Sequence, residues 1–346
     1  MTATATGSPT GVTFLSSGQV VPNVLTTITI CDPRGAAVAQ GYDIALGAAT
    51  PLRWNTSNAA VNGIAHSTLL GQQLESFTPD SSGLNVLQFL RGSNVKEVRY
   101  GGQFRNRKHK LGDIVFSNPV FVGAPSSLNL SPSYLGFAAA HSGRPGTLYV
   151  GGNDGMLHAF DAATGNERFA FIPKGVYGNL INLVSPYYNA QHRFFVDGSP
   201  ISADVQFTDL SWHTLLLGTE GAGGNDVFAL DVTDPSTLTT ESAVAAAALW
   251  DFTDGDMGNT FGSPYAVNTV LGNVVIVANG YNSPQGKPFL YALNSQTGAV
   301  LAKIDLCAAV ATACNLIIAN GLSSPNAVNS GGQAGGAANL VYAGDL

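Results

Sequence analysis

The stretch Leu148-Tyr149-Val150-Gly151-Gly152-Asn153-Asp154-Gly155, followed by Met156-Leu157-His158-Ala159-Phe160-Asp161 and then Thr164-Gly165, decides the fold. Two alternating apolar runs flank an Asn-Asp-Gly turn, which is the signature of a β-hairpin. A weaker copy runs from Leu215-Leu216-Leu217-Gly218 to Phe228-Ala229-Leu230-Asp231. A third runs from Val274-Val275-Ile276-Val277 to Tyr291-Ala292-Leu293-Asn294 and closes with Thr297-Gly298.

Working outward, each hairpin is preceded by an apolar strand that a Ser/Asn-Pro pair introduces: Asn118-Pro119, Ser199-Pro200 and Ser263-Pro264. Ser324-Pro325 opens a further copy that reaches Leu340-Val341-Tyr342-Ala343-Gly344. After each complete hairpin comes one more short run, Phe169 to Ile172, Leu249 to Phe252 and Val300 to Ile304. The period is roughly 60 to 80 residues, long enough for a four-stranded sheet with its loops. Strand, hairpin and strand make a propeller blade, and such sheets bury both faces only when stacked on neighbours around an axis. The expectation is an all-β chain: an incomplete, truncated β-propeller of four-stranded antiparallel blades, preceded by a small β segment and a short helical connector. Three blades are near complete and a fourth is begun. A blade that stops at Asp345-Leu346 leaves an edge unpaired, so the reading expects a fragment completed by sequence beyond it.

Composition supports an extracellular type of β protein. Only 11% of the 346 residues are charged, against about 25% in ordinary soluble domains, and there are 41 glycines. A net charge of -7 gives no global attraction to nucleic acid or to an acidic membrane. No run of 18 or more apolar residues is present, so no membrane span is expected. The start, Met1-Thr2-Ala3-Thr4-Ala5-Thr6, has neither the basic nor the apolar region of a secretory signal. Of the 3 cysteines, Cys307 and Cys314 bracket a small-residue loop that a disulfide would staple, leaving Cys31; three unrelated buried thiols are the alternative.

Residues 1–10 lack periodicity and read as disordered. Residues 11–54 read as a small β segment, with Val12-Thr13-Phe14-Leu15, Gln19-Val20-Val21 and Leu25 to Cys31 as strands before the turn Asp32-Pro33-Arg34-Gly35. That stretch resembles the C-terminal β segment of minor pseudopilins of the GspH/FimT type. Residues 55–112 read as a connector, with Leu84, Leu87, Phe89 and Leu90 near helical spacing between Ser81-Ser82 and Gly92. The basic run Phe104 to Asp113 reads either as a docking loop for an acidic partner or as a solvated loop leading into a strand from Ile114 to Val122. Residues 113–346 hold the blades.

Within that region the phrases "FRNRKHKLGDIVFSNPVFVGAP", "RPGTLYVGGNDGMLHAFDAATGNE", "GTEGAGGNDVFALDVTDP", "LWDFTDGDMGNTFGSP" and "VYAGDL" follow one another in order. Over about residues 84 to 346 the chain resembles the C-terminal propeller of the PilY/PilC family of type IV pilus tip-associated adhesins and assembly factors. The resemblance implies a modified propeller of which this chain holds roughly half, export to the cell surface, outer membrane or pilus tip, and pilus subunits and minor pilins as partners. It also implies attachment to host or abiotic surfaces through regions outside this chain. Calcium is the family's cofactor, held in a loop between the strand after Ser324-Pro325 and Tyr342. Here that interval runs from Asn329 to Asn339 without a carboxylate. Hard Ca²⁺ is held by six to eight oxygens, carboxylates foremost, so the two asparagines read as remnants of a lost or weak site.

Asp251, Asp254 and Asp256 have ligand-like spacing, but Asp-Gly beside a strand end is also a turn. Asp161 with Thr164-Gly165 reads as a turn cap. The blade phrase also resembles quinone-dependent dehydrogenases, yet this chain has no adjacent cysteine pair. No Gly-x-Ser-x-Gly occurs, and His66, His109, His141, His158, His192 and His213 are scattered. His158 reads as a satisfied structural histidine. No catalytic residue is expected, and the functional expectation is a non-enzymatic protein-docking platform in pilus assembly. A quinoprotein dehydrogenase and a generic outer-membrane assembly scaffold are the alternatives.

Overall fold

The computed structural model describes residues 3–4, 12–14, 20–21, 83–125, 129–309, 321–329 and 337–344. The expected strand from Leu25 to Cys31, most of the expected connector, Cys31, Cys314 and the centre of the Asn329 to Asn339 interval lie outside these residues. Near the start, β1 (Ala3–Thr4), β2 (Val12–Phe14) and β3 (Val20–Val21) form an antiparallel sheet, with Ala3 opposite Phe14. The pairing of β1 falls where composition alone suggests disorder. Helix α1 (Gly83–Leu90) forms at the expected place and ends before Gly92, whose φ of 96° is the left-handed conformation favoured just after a helix.

The propeller is built as the repeats demand. The first blade contains β4 (Val120–Val122), β5 (Thr147–Gly152), β6 (Met156–Asp161) and β7 (Glu167–Phe171), paired in sequence order. The second contains β8 (Ile201–Gln206), β9 (Trp212–Thr219), β10 (Val227–Asp231) and β11 (Ala248–Phe252). The third contains β12 (Tyr265–Thr269), β13 (Gly272–Ala278), β14 (Phe289–Asn294) and β15 (Val300–Asp305). A two-stranded sheet, β16 (Asn326–Val328) with β17 (Leu340–Tyr342), follows.

Every first strand begins at the residue after the proline of its Ser/Asn-Pro pair. Proline offers no ladder N–H, so pairing starts beyond it. For the same reason the strand expected from Ile114 shortens to begin at Val120. The first strands neighbour one another, β4 beside β8, β8 beside β12 and β12 beside β16. Their approaches are bonded too: Asn118 N donates to Ser199 Oγ at 2.9 Å, and Ser263 N donates to Ser324 Oγ at 3.0 Å.

Blade packing repeats in the aromatic residues. Phe171 on the last strand of the first blade meets Phe228 on the third strand of the second, with ring centroids 5.3 Å apart. Phe252 meets Tyr291 in the same way one blade later, at 5.2 Å. Phe171, Phe228 and Tyr291 are fully buried or nearly so, each such ring contributing on the order of 1.5–3 kcal/mol. Two large apolar cores result. One joins α1, the first blade and the inner side of the second, and the other joins the second and third.

The far ends of the third strands share a cap. Asp161 Oδ1 accepts the backbone N–H groups of Ala163 and Thr164 at 2.9 and 2.8 Å. Asp231 Oδ1 accepts Thr233 N at 3.0 Å, and Asn294 Oδ1 accepts Gln296 N and Thr297 N at 3.0 and 2.9 Å. Short side chains that bond backbone two or three residues on fix these turns.

Three helices in connecting segments have little sequence periodicity. These are α2 (Pro132–Ala140), α3 (Glu241–Ala247) and α4 (Leu306–Ala309). The first two are marked by caps, since Ser131 Oγ accepts Tyr134 N at 3.3 Å and Thr240 Oγ1 accepts Ala243 N at 3.1 Å. Cys307, on α4, is disulfide-bonded to a cysteine outside the described residues.

Candidate functional site at the loop face of the blades

Because successive strands are antiparallel, the second-to-third-strand loops and the exits of the fourth strands share one face. Isolated backbone bridges link them from blade to blade: Gly221 with Thr260, Asn259 with Tyr281, and Gly280 with Leu322. Asp154, Glu220, Asp226 and Lys287 lie in the second-to-third-strand loops, and Lys174, Asp197, Asp254 and Asp256 on the segments that leave the fourth strands, with Asp113 on the approach to β4 and Lys303 on β15.

In the first blade the Asn153-Asp154-Gly155 turn forms as expected, with Gly155 at φ 92° and its N–H donating to Gly152 O at 3.3 Å. Its side chains also work across loops. Asn153 Nδ2 donates to Asp113 Oδ2 at 3.1 Å, while Asn153 Oδ1 accepts Phe195 N at 3.0 Å. Asp154 accepts Gly112 N at 2.7 Å and His158 Nε2 at 3.1 Å. His158 Nδ1 donates to Glu167 Oε1 at 2.6 Å. The ring is wholly buried, and burial works against its charge. Asp154 and then Glu167 outweigh that penalty and push its pKa up to about 10. His158 is therefore an imidazolium between two carboxylates, a structural tie as the sequence suggests.

The three aspartates of ligand-like spacing do not converge on a metal. Asp254 Oδ1 accepts Lys303 Nζ at 2.7 Å and Tyr291 Oη at 3.0 Å, and Asp256 Oδ2 accepts the same ammonium at 2.6 Å. Asp251 instead accepts Lys174 N at 3.4 Å, from the segment that follows the first blade. The cation at this pair is the chain's own lysine. Among the described residues no group of three or more His, Cys, Asp or Glu could hold a metal ion.

The basic run is neither solvated throughout nor presented as a docking loop. Arg107 is buried, donating from Nε to Glu97 Oε1 at 3.0 Å, from Nη1 to Phe89 O at 2.6 Å and from Nη2 to Ser93 O at 2.5 Å. Its guanidinium lies over the Phe89 ring, 3.6 Å from the centroid. Arg105 donates to Leu183 O at 2.6 Å and lies over Tyr188. A planar fork that satisfies several carbonyls and stacks on a ring suits arginine, so the run clamps α1 to the segment that leaves the first blade.

Asn329 directly follows β16 and Asn339 directly precedes β17. They flank one loop on the opposite face, where Asn339 N donates to Val328 O at 3.1 Å and Ala338 N to Asn268 O at 2.7 Å. The donor set available between them is neutral, a poor fit to a hard divalent ion.

One array was not foreseen from the scattered histidines. His213 Nδ1 donates to Asp231 Oδ2 at 2.7 Å, and His213 Nε2 lies 2.8 Å from Ser211 Oγ. The order matches a serine-hydrolase relay, but Ser211 O–H donates to Asp209 Oδ1 at 2.5 Å. Asp209 therefore competes with the histidine for the one hydroxyl proton, and the array ties the β8–β9 hairpin to the capped end of β10. Its signal in the sequence was Asp-x-Ser-x-His.

Residues 111–346 match the family model described as the PilY1 beta-propeller domain. The chain belongs to that family. A PilY1 homologue from Xylella fastidiosa, named as a type IV pilus biogenesis factor, is 36% identical over 332 residues, covering 90% of this chain and 25% of the relative. PilY1 of Pseudomonas aeruginosa, likewise a type IV pilus biogenesis factor, is 38% identical over 279 residues, 77% of this chain and 22% of that protein. The chain therefore spans about a quarter of these curated PilY1 relatives. The crystal structure of the P. aeruginosa PilY1 C-terminal domain superposes with a TM-score of 0.51 at 36% identity, covering 65% of this chain and 43% of that one. A quinohemoprotein alcohol dehydrogenase from Pseudomonas putida HK5 is a distant match, with a TM-score of 0.26 and 17% identity. With the sheets in hand, this member of the PilY1 family is an incomplete β-propeller.

Proposed function

We propose that the chain is the propeller part of a type IV pilus biogenesis factor and works without catalysis, as a docking platform for pilus subunits and minor pilins. The observation that carries this reading is the ordered PilY1 match across all the blades. The loop face supports it, since its loops are bridged from blade to blade into one connected surface. The reading includes export to the cell surface and a part in twitching and attachment, with the attachment target bound by regions outside this chain. No helix among the described residues is long and apolar enough to cross a membrane. Replacing the gene by a deletion should reduce surface pili, twitching and attachment together; a strain unchanged in all three would refute the proposal.

We further propose that the Asn329 to Asn339 loop is a degenerate calcium site. Neutral amides give up the carboxylate attraction that calcium binding rests on. Calorimetric titration with Ca²⁺ should give no heat, and melting in calcium and in chelator should coincide; micromolar binding abolished by N329A and N339A would reverse this view.

A further inference from the structure

The blades repeat closely enough that one residue can be judged by its counterpart. Asp231 and Asn294 are equivalent caps, so Val227 on β10 corresponds to Leu290 on β14, each lying four residues earlier. Val227 pairs with Thr219 and Leu290 with Ala278, which makes Glu220 the counterpart of Asn279. In the third blade Asn279 is fully buried and saturated. Its Oδ1 accepts Phe289 N at 3.0 Å, while its Nδ2 donates to Asp256 O at 3.0 Å and Lys287 O at 2.8 Å.

Glu220 is equally buried and keeps half of this pattern. Its Oε2 accepts the N–H of Asp226, the counterpart of Phe289, at 3.4 Å. Its Oε1 is buried without a hydrogen-bond partner. The surroundings also correspond. Phe171 pairs with Leu157, and Phe252 with Val227, so Gly175 stands where Asp256 stands, four residues after the last-strand phenylalanine. Gly224 stands where Lys287 stands, three residues before the corresponding pair Val227 and Leu290. Glu220 packs against both: an added Cβ would lie 2.3 Å from Oε1 at Gly175 and 1.7 Å from Oε2 at Gly224. The carboxyl has thus been set into a place whose counterpart uses an amide N–H₂ to serve two backbone carbonyls. An ionised carboxylate has no proton to offer such acceptors.

We propose that Glu220 carries its proton at neutral pH and that its carboxyl O–H takes over the donor role of Asn279, closing the seam between the first and second blades. The charged groups around it fit. Asp226 lies on the same loop, Asp251 on β11 adds a second negative charge, and Lys174 on the segment leaving the first blade acts on Asp226. Burial first, and the Asp226 carboxylate second, hold the Glu220 acid well above the ordinary carboxylate range. Folding linked to a raised acid loses stability as pH climbs from the unfolded carboxylate value to the folded one. The unfolding constant grows up to about tenfold per pH unit over that window. The seam would therefore loosen with rising pH unless the acid is replaced by an amide.

The test compares urea unfolding of the full chain and of Glu220→Gln from pH 5 to pH 9, with infrared difference spectra at pH 7. E220Q should fold, unfold at higher urea than the parent at pH 7 and above, and lose the Glu220 share of the pH slope. The parent should show a protonated carboxyl C=O band that E220Q lacks. Asp226→Asn, which removes the adjacent charge but leaves Glu220, should make the parent slope shallower. Unchanged slopes in E220Q, a lower midpoint at pH 7, or no such band would overturn the proposal. So would stabilisation by Ca²⁺ that chelator and E220Q both abolish, which would put a cation rather than a proton at Oε1.

Discussion

Lys303 Nζ lies 2.6 Å from Asp256 Oδ2, so a lysine on the outer strand of the third blade neutralises the loop that leaves the second. The same ammonium is 2.7 Å from Asp254 Oδ1, and these two carboxylates raise its pKa further. The lysine side chain is about one-third exposed, so solvent screens part of the attraction.

Removing that ammonium leaves two carboxylates facing each other. Lys303→Met should lower unfolding stability by about 1–2 kcal/mol, read from the urea midpoint, because a partly buried charge-assisted bond is lost and not replaced. Asp256→Asn in the same background should recover part of the loss.

Arg107 sits deeper and bonds more groups. Arg107→Met should cost about 3 kcal/mol by leaving Glu97 and two carbonyls short of donors. Arg107→Lys should restore only part, since one ammonium cannot reproduce the fork that reaches Glu97, Phe89 and Ser93 together. Chemical denaturation of the two variants checks both statements.

His158 makes a pH prediction with a definite sign. Its pKa is raised in the folded chain to about 10. The stabilisation is complete below the ordinary imidazole value of about 6.5 and is lost as pH rises toward the folded one. The difference in unfolding free energy between the parent and His158→Gln should therefore shrink between those limits. Taking the difference cancels any titration at Glu220, which both proteins retain.

Ser211 supplies a chemical check on the relay-like array. With Asp209 competing for its hydroxyl proton, it should resist a fluorophosphonate probe, and mass spectrometry should find Ser211 unmodified after prolonged exposure. Labelling abolished by His213→Gln would instead mark an activated serine.

The blades were legible because hairpin turns, strand alternation and proline-marked starts are all local signals. The Asn-Asp-Gly turn and the Asp161 and Asn294 caps could be read directly from their neighbours in sequence. What was not legible depends on pairs far apart. Lys303 is 47 residues from Asp256, so aspartates spaced like ligands gave no hint that a lysine reaches them. Arg105 and Arg107 read as surface charge because nothing near them announces the carbonyls of Leu183 and Phe89. Glu220 becomes informative only when the register places it on Asn279. Helix α2 carries a Ser-Pro start but no apolar periodicity, so only its cap could have disclosed it.

The bonds that join Asn118 to Ser199 and Ser263 to Ser324 connect a blade to its successor at the point where the new first strand begins. Within each blade, strands pair in the order they occur, and among the described residues the aromatic contacts between blades reach only the adjacent one. Each blade strand after β4 thus has a neighbour in chain already made. Construction can proceed in one direction, like courses of brickwork, with the newest blade always the least supported. A destabilising change in the third blade should for that reason leave the first two able to form, whereas one at Phe171 removes the footing on which the later ones are laid.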